Sequence, residues 1–200
     1  MTLREIAMYC KIKQSEREAD KYKQQSDLYE SVLTGEVTEF VVPENWTKIR
    51  DSMFNSCVNL TNVVIPNAIK TIGYSAFANC TSLTTVTFPN SITRMGIYMF
   101  NDCTSLTTVT IPNSVRYMGG YIFNNCSRLT NVTLGNNFNC DNLDLSVSTK
   151  YSVDTLVAML TALADRTGQT AYTLTIGATN LAKLSDDQRA IATDKNWTLA

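Results

Sequence analysis

From residue 41 to residue 132, apolar and polar positions follow one another in a fixed 23-residue order. Four copies, 41–63, 64–86, 87–109 and 110–132, run without insertion or deletion. One phase holds Phe54, Phe77, Phe100 and Phe123, and three residues later come Cys57, Cys80, Cys103 and Cys126. Leu60, Leu83, Leu106 and Leu129 follow, then Val63, Val86, Val109 and Val132. Two more apolar columns are Trp46, Ile69, Ile92, Val115 and Ile49, Ile72, Met95, Met118. A period in this range predicts a solenoid. No rung buries such a set alone, and stacked neighbours make a continuous core.

Within each unit Val86 and Phe88 alternate with Thr85 and Thr87, the pattern of a short half-buried strand. Pro43, Pro66, Pro89 and Pro112 are all the prolines of the chain. Each ends its strand, because proline has no donor for the ladder. The remainder of the unit reads as irregular. Gly73, Gly96 and Gly119 share a phase at which the first copy has Arg50, which predicts a tight or left-handed backbone there and a first rung that differs locally. With parallel strands about 4.8 Å apart, four rungs span roughly 15–20 Å and need a cap at each end.

The flanks differ in kind. Residues 1–40 are charged, with apolar positions at Leu3, Ile6, Ala7 and Cys10 and again at Leu28, Val32 and Leu33. They predict one or two amphipathic helices ending before Gly35, covering the first rung against Val42, Trp46 and Ile49 or serving self-association. Sustained heptads are absent, so no long coiled coil is predicted. After Leu134 the period breaks. The pattern then predicts a strand in 142–146 and a helix capped by Ser152 with Val153, Leu156, Val157, Leu160 and Leu163 on its apolar face. A strand in 171–177, a helix opened by a Ser185–Gln188 capping box and a last strand in 196–200 follow. The expected organisation is therefore a helical cap (1–40), four repeats (41–132) and longer strand–helix rungs (133–200), one continuous α/β solenoid with a parallel sheet.

The runs SAFANCTSLTTVTFPNSIT and YMFNDCTSLTTVTIPNSV resemble the BspA-type leucine-rich repeat of bacterial surface antigens, over about half of the chain. The resemblance implies a right-handed leucine-rich-repeat solenoid and a scaffold tied to bacterial surfaces and adhesion. The two ends, MTLREIA and AIATDKNWTLA, read as natural ends and resemble proteins of gut Firmicutes and their prophages. No apolar stretch of the N-terminus reads as an ordinary secretory signal, and none of the chain is long and apolar enough to span a membrane. The expectation is synthesis in the cytoplasm and a place in a bacterial or phage surface assembly.

Composition narrows the chemistry. The chain has no histidine, which removes histidine-based triads and histidine metal sites. The repeat cysteines lie 23 apart, not at the short spacings of zinc pairs. Stacked side by side, they keep their Cβ atoms near the rung spacing, beyond the ~3.8 Å that a disulfide prefers. They read as small buried hydrophobes with free thiols; Cys10 and Cys140 have no assignable partner. The carboxylates do not pair for acid–base work, and no phosphate-binding loop occurs. No catalytic residue, cofactor or metal is expected, and the chain reads as a non-enzyme. A net charge of -1 is no nucleic-acid footprint.

Two exposed surfaces are the candidates. On the strand face, Asn62, Thr85, Thr108 and Asn131 line up beside Val64, Thr87, Thr110 and Thr133. Such an array orders water or meets sugar hydroxyls, although threonine also simply suits a solvated strand. On the irregular side, Lys48, Lys70, Arg94 and Arg116 occupy two adjacent columns near Tyr74, Tyr98, Tyr117 and Tyr121. Cations beside aromatic rings suit an anionic glycan or wall polymer; the same residues also read as scattered solubilising charge. The expected function is a recognition or structural module with a protein or glycan ligand, monomeric or self-associated through its N-terminal helix. An intracellular or secreted protein-binding scaffold and a purely structural virion component are the alternatives.

Overall fold

A computed structural model describes residues 30–35, 38–141 and 143–200. The repeats stack as two parallel ladders. The first, a five-stranded sheet, takes β1 (Glu39–Val41), β3 (Asn62–Val64), β5 (Thr85–Thr87), β7 (Thr108–Ile111) and β9 (Asn131–Leu134) in that order. The second takes β2 (Lys48–Ile49), β4 (Thr71–Ile72), β6 (Arg94–Met95) and β8 (Tyr117–Met118). The ladder opens on the strand that Pro43 ends. β1 begins in the segment read as cap and runs into the first repeat, and Phe40 pairs with Val63 as a further member of that column. The second ladder occupies the stretch read as irregular, because strands of two residues carry no alternation to detect.

The core is the set of repeated columns. Phe54, Phe77, Phe100 and Phe123 are buried, and their rings stack along the axis at 5.2, 5.5 and 5.8 Å between centroids. Burying each ring contributes about 1.5–3 kcal/mol, and aligned aromatic pairs add to this. From the second copy on, the cysteine thiol donates to the carbonyl of the phenylalanine one rung back: Cys80 to Phe54 at 3.0 Å, Cys103 to Phe77 at 3.1 Å and Cys126 to Phe100 at 3.2 Å. All are free thiols. Burial pushes Cys57 up to about 11 and Cys80 and Cys126 up to about 12; Cys103 is raised further, by burial and then by its cysteine neighbours.

Between the two ladders, the turn that carries the phenylalanine forms a third set of rung-to-rung bonds. The amides of Ser52, Phe54 and Ser56 donate to the carbonyls of Tyr74, Ala76 and Ala78 at 2.8 Å. Ser75, Phe77 and Asn79 donate in turn to Ile97, Met99 and Asn101, and Tyr98, Phe100 and Asp102 to Gly120, Ile122 and Asn124. The geometry needs left-handed residues, and two columns supply them: Ser52, Ser75, Tyr98, Tyr121 and Ser56, Asn79, Asp102, Asn125. The glycine column is not left-handed, so of the two expected readings, tight or left-handed, the second falls. Gly73, Gly96 and Gly119 are required for close approach: a Cβ on Gly96 would fall on the backbone of Gly73 and Tyr74.

After β9 the rungs lengthen. Phe138 extends the column of Trp46, Ile69, Ile92 and Val115, but its amide donates to Ala162 at 2.9 Å, at the end of α1 (Val153–Ala162). Ser152 caps α1, accepting from Thr155. Leu156, Leu160 and Leu163 are buried as the pattern predicts; Met159 joins them, while Val153 is exposed. A third sheet runs β10 (Leu143–Asp144), β11 (Tyr172–Thr175), β12 (Trp197–Leu199), all parallel. The connection from β11 to β12 holds a short α2 (Ala178–Leu181), which the pattern did not show, and α3 (Asp186–Thr193) with its Ser185–Gln188 capping box. The predicted N-terminal helices lie outside the described residues up to residue 29. Residues 30–34 form a helical turn whose Val32 is buried in the core and whose Leu33 is exposed.

Candidate functional site

On the five-stranded sheet the repeat forces every second side chain outward. Val41, Val64, Thr87, Thr110 and Thr133 are paired in register from β1 to β9, forming one uninterrupted outward column. Glu39 pairs with Asn62, and Thr85, Thr108 and Asn131 pair in turn, as a second column. Val41 is 59 % exposed and Val64 49 %, an apolar pair at the head of a threonine row. The predicted face did not include Val41; stepping back one period from Val64 reaches it.

The hydroxyls divide into two sets. Thr61, Thr107 and Thr130, at the strand starts, donate to the carbonyls of Thr38, Thr84 and Thr107 at 3.0–3.4 Å. The outward Thr85, Thr87, Thr108, Thr110 and Thr133 make no such bond to a described residue, so their hydroxyls remain open to a ligand or to water. Between β3 and β5 the pairing narrows to Val64 and Thr87. There a shallow groove opens, lined by Asn62, Val64, Ile65, Thr87, Phe88 and Pro89.

The four-stranded side gathers the cations. Lys48 opens β2 and Arg94 opens β6; Lys70 immediately precedes β4 and Arg116 immediately precedes β8. All four are exposed, and each rung contributes one. None forms an ion pair with a described residue. The Arg94 guanidinium leans one rung forward, 4.1 Å above the Tyr117 ring, beside Arg116. Arg116 donates to the carbonyls of Asn113 and Val115. Tyr74, Tyr98 and Tyr121 form a separate aromatic row: Tyr74 meets Tyr98 edge-on at 5.9 Å, and Tyr98 stacks on Tyr121 at 5.2 Å. The ring faces that the sequence reading offered to a ligand are therefore partly covered, Tyr98 and Tyr121 by one another and Tyr117 by Arg94.

Three cations of the C-terminal segment are engaged by the fold. Lys195 donates to the carbonyls of Leu160, Thr161 and Leu163 at 2.7–3.3 Å, satisfying the end of α1, and Lys183 donates to Thr149 and Tyr151 at 2.7 and 2.8 Å. Buried Arg166 lies 3.4 Å from the Tyr172 ring centroid and donates to Thr170 and Asn139. No sequence signal pointed to these roles. Among the described residues no group of three or more cysteines and acids is placed to hold a metal, and no helix is long and apolar enough to cross a membrane.

A family model described as the BspA type leucine rich repeat region matches residues 29–144 in six copies. More copies than four accord with β1 and with Phe138 continuing the columns beyond the in-phase block. A search of curated proteins returned no match. Among solved structures, the T. pallidum leucine rich repeat protein is similar at a TM-score of 0.53 and 18% identity, over 82% of this chain and 85% of that one. A leucine-rich repeat protein from Eubacterium ventriosum is similar at 0.50 and 22% identity, over 69% of this chain and 35% of that one. These likenesses show the fold.

Proposed function

The chain belongs to the BspA-type leucine-rich-repeat family, and from that premise we propose that it is a non-enzymatic recognition module of a bacterial or phage surface assembly. Its ligand, a protein or a glycan, lies across the five-stranded sheet. The observation that carries this reading is the outward column from Val41 and Val64 through Thr87, Thr110 and Thr133. It joins an exposed apolar pair to open hydroxyls on a rigid repeat. The inward positions, by contrast, are consumed by packing, which leaves the outer faces to carry specificity. Apolar anchors beside adaptable polar groups are what a recognition surface needs.

The test is a screen of the full chain against arrayed glycans and extracellular proteins, run beside the variant Val64→Asp/Thr87→Asp/Thr110→Asp. These positions are exposed, and because three carboxylates stacked in one column repel one another, circular dichroism and a urea titration first establish that the variant is folded. The reading expects ligands that the parent binds and the variant loses by about tenfold or more, a loss on the scale of hot-spot residues. Equal binding of every ligand by both proteins removes the five-stranded face from consideration.

A further inference from the structure

The four-stranded side carries a feature that recognition through the other sheet does not use. Lys48, Lys70, Arg94 and Arg116 place one exposed cation on each successive rung, alternating between two neighbouring columns. Rungs repeat about every 4.8 Å, so the positive charges follow one another along the stacking axis. Like charges at that spacing repel, and no described carboxylate pairs with them. Arg94 rests over Tyr117, whose neighbour in the chain is Arg116. Lys183, Lys195 and Arg166 show what the fold does with a cation that serves structure: it fills each with carbonyls. The stripe has been left open, and Arg116 alone among its members donates to backbone carbonyls.

We propose that this stripe binds an acidic polysaccharide laid along the stacking axis, with its anionic groups met in turn by Lys48, Lys70, Arg94 and Arg116. A repeating ligand suits a repeating receptor, and one rung is about the length of one sugar in an extended chain. Exposed Tyr74, Tyr121 and Ile97 lie further along the same rungs and give the sugars an amphipathic border. A single-stranded nucleic acid fits less well. It is held by bases stacking on open aromatic faces, and here the faces of Tyr98, Tyr121 and Tyr117 are engaged by other side chains. A duplex asks for a broad basic surface, against a chain whose net charge is -1.

The experiment measures binding of the full chain to polygalacturonate and heparin, which separate carboxylate from sulfate, and to dextran, oligo-dT and polyglutamate. The expected result is binding to at least one of the acidic polysaccharides and not to dextran. Affinity should fall with salt at a log–log slope of about 3–4, one released counterion for each contact. The variant Lys48→Gln/Lys70→Gln/Arg94→Gln/Arg116→Gln should lose about tenfold or more. The control Arg128→Gln/Lys150→Gln, which removes exposed cations away from the stripe, should stay within about twofold. No binding to either polysaccharide at low salt overturns the proposal, as does an equal loss in the control. Oligo-dT or polyglutamate bound as tightly as the polysaccharides also overturns it, since the site would then read charge alone. The Val64→Asp/Thr87→Asp/Thr110→Asp variant should bind the polysaccharide as the parent does, so the two surfaces stand or fall separately.

Discussion

Replacing each of two neighbouring glycines by alanine should move stability in opposite directions. Neither Gly119 nor Gly120 has a left-handed φ, so alanine is conformationally acceptable at both. By restricting the unfolded chain, it should stabilise each by about 0.4–1 kcal/mol. At Gly120 nothing lies within 4 Å of the added methyl, and that gain stands. At Gly119 the methyl would sit 2.5 Å from Ile97 Cα and 2.7 Å from Gly96 C, both backbone atoms of the previous rung. Backbone cannot swing aside as a side chain can. Relief requires parting the rungs where the Gly119 amide donates to Met95 at 2.9 Å, and overpacking of this kind costs about 1–3 kcal/mol or more. The unfolded-state gain is common to both, so the two variants should differ by the overpacking cost alone, about 1–3 kcal/mol or more. Urea titrations with unchanged slope would read the difference as a shift in midpoint; in melting temperature each kcal/mol is worth about 2–4 °C for a chain of this size. A Gly119→Ala protein as stable as the parent would show that the rungs do not need this closeness, and the account of the glycine column would fail.

Phe100→Ala should cost about 3–5 kcal/mol, because the ring is fully buried between Phe77 and Phe123 and touches Phe88. Fluorescence of Trp46, near the first rung, and of Trp197, in the last strand, will show whether both ends lose stability together; a cost under about 1 kcal/mol contradicts the packing. Stability should also fall in alkali. The folded thiols titrate at about 11–12 rather than 9.0, so the native state keeps protons that the unfolded chain releases. The contribution is complete below about pH 9 and is lost as pH climbs through the folded values, by up to about 1.4 kcal/mol per pH unit for each thiol. Urea midpoints at pH 8 and pH 10.5 that coincide would count against buried, protonated cysteines.

Much of the architecture could be read from the chain because the Phe, Cys, Leu and Val columns repeat without a gap. Pro43 marked the end of β1, but the core residue of that strand was hidden, because Phe40 stands where later rungs have valine. β2, β4, β6 and β8 were hidden for a different reason: two residues cannot show a period. Glycine suggested a tight or left-handed backbone, yet the left-handed positions of the turns belong to serine, asparagine, aspartate and tyrosine. Asn79, Asp102 and Asn125 could have signalled it, since short polar side chains tolerate that conformation. The candidate surfaces were legible as columns. Which of their groups remain open was not, because the strand-start threonines and Lys183 or Lys195 look no different in sequence from those left unsatisfied.

The rung-to-rung bonds of the phenylalanine turns have a further consequence. The amides of Ser52, Phe54 and Ser56, and their equivalents in the next two rungs, all point toward the C-terminal end, while the accepting carbonyls point back. In a parallel sheet such directions alternate along each strand, and the net moment is small. Here three peptide units per rung are aligned, each with a dipole of about 3.5 D. The stack thus acquires an electrical polarity, as an α-helix does along its axis, even though no helix runs through it. Every rung lengthens the column of aligned dipoles, with the positive pole at the Tyr121–Asn125 turn.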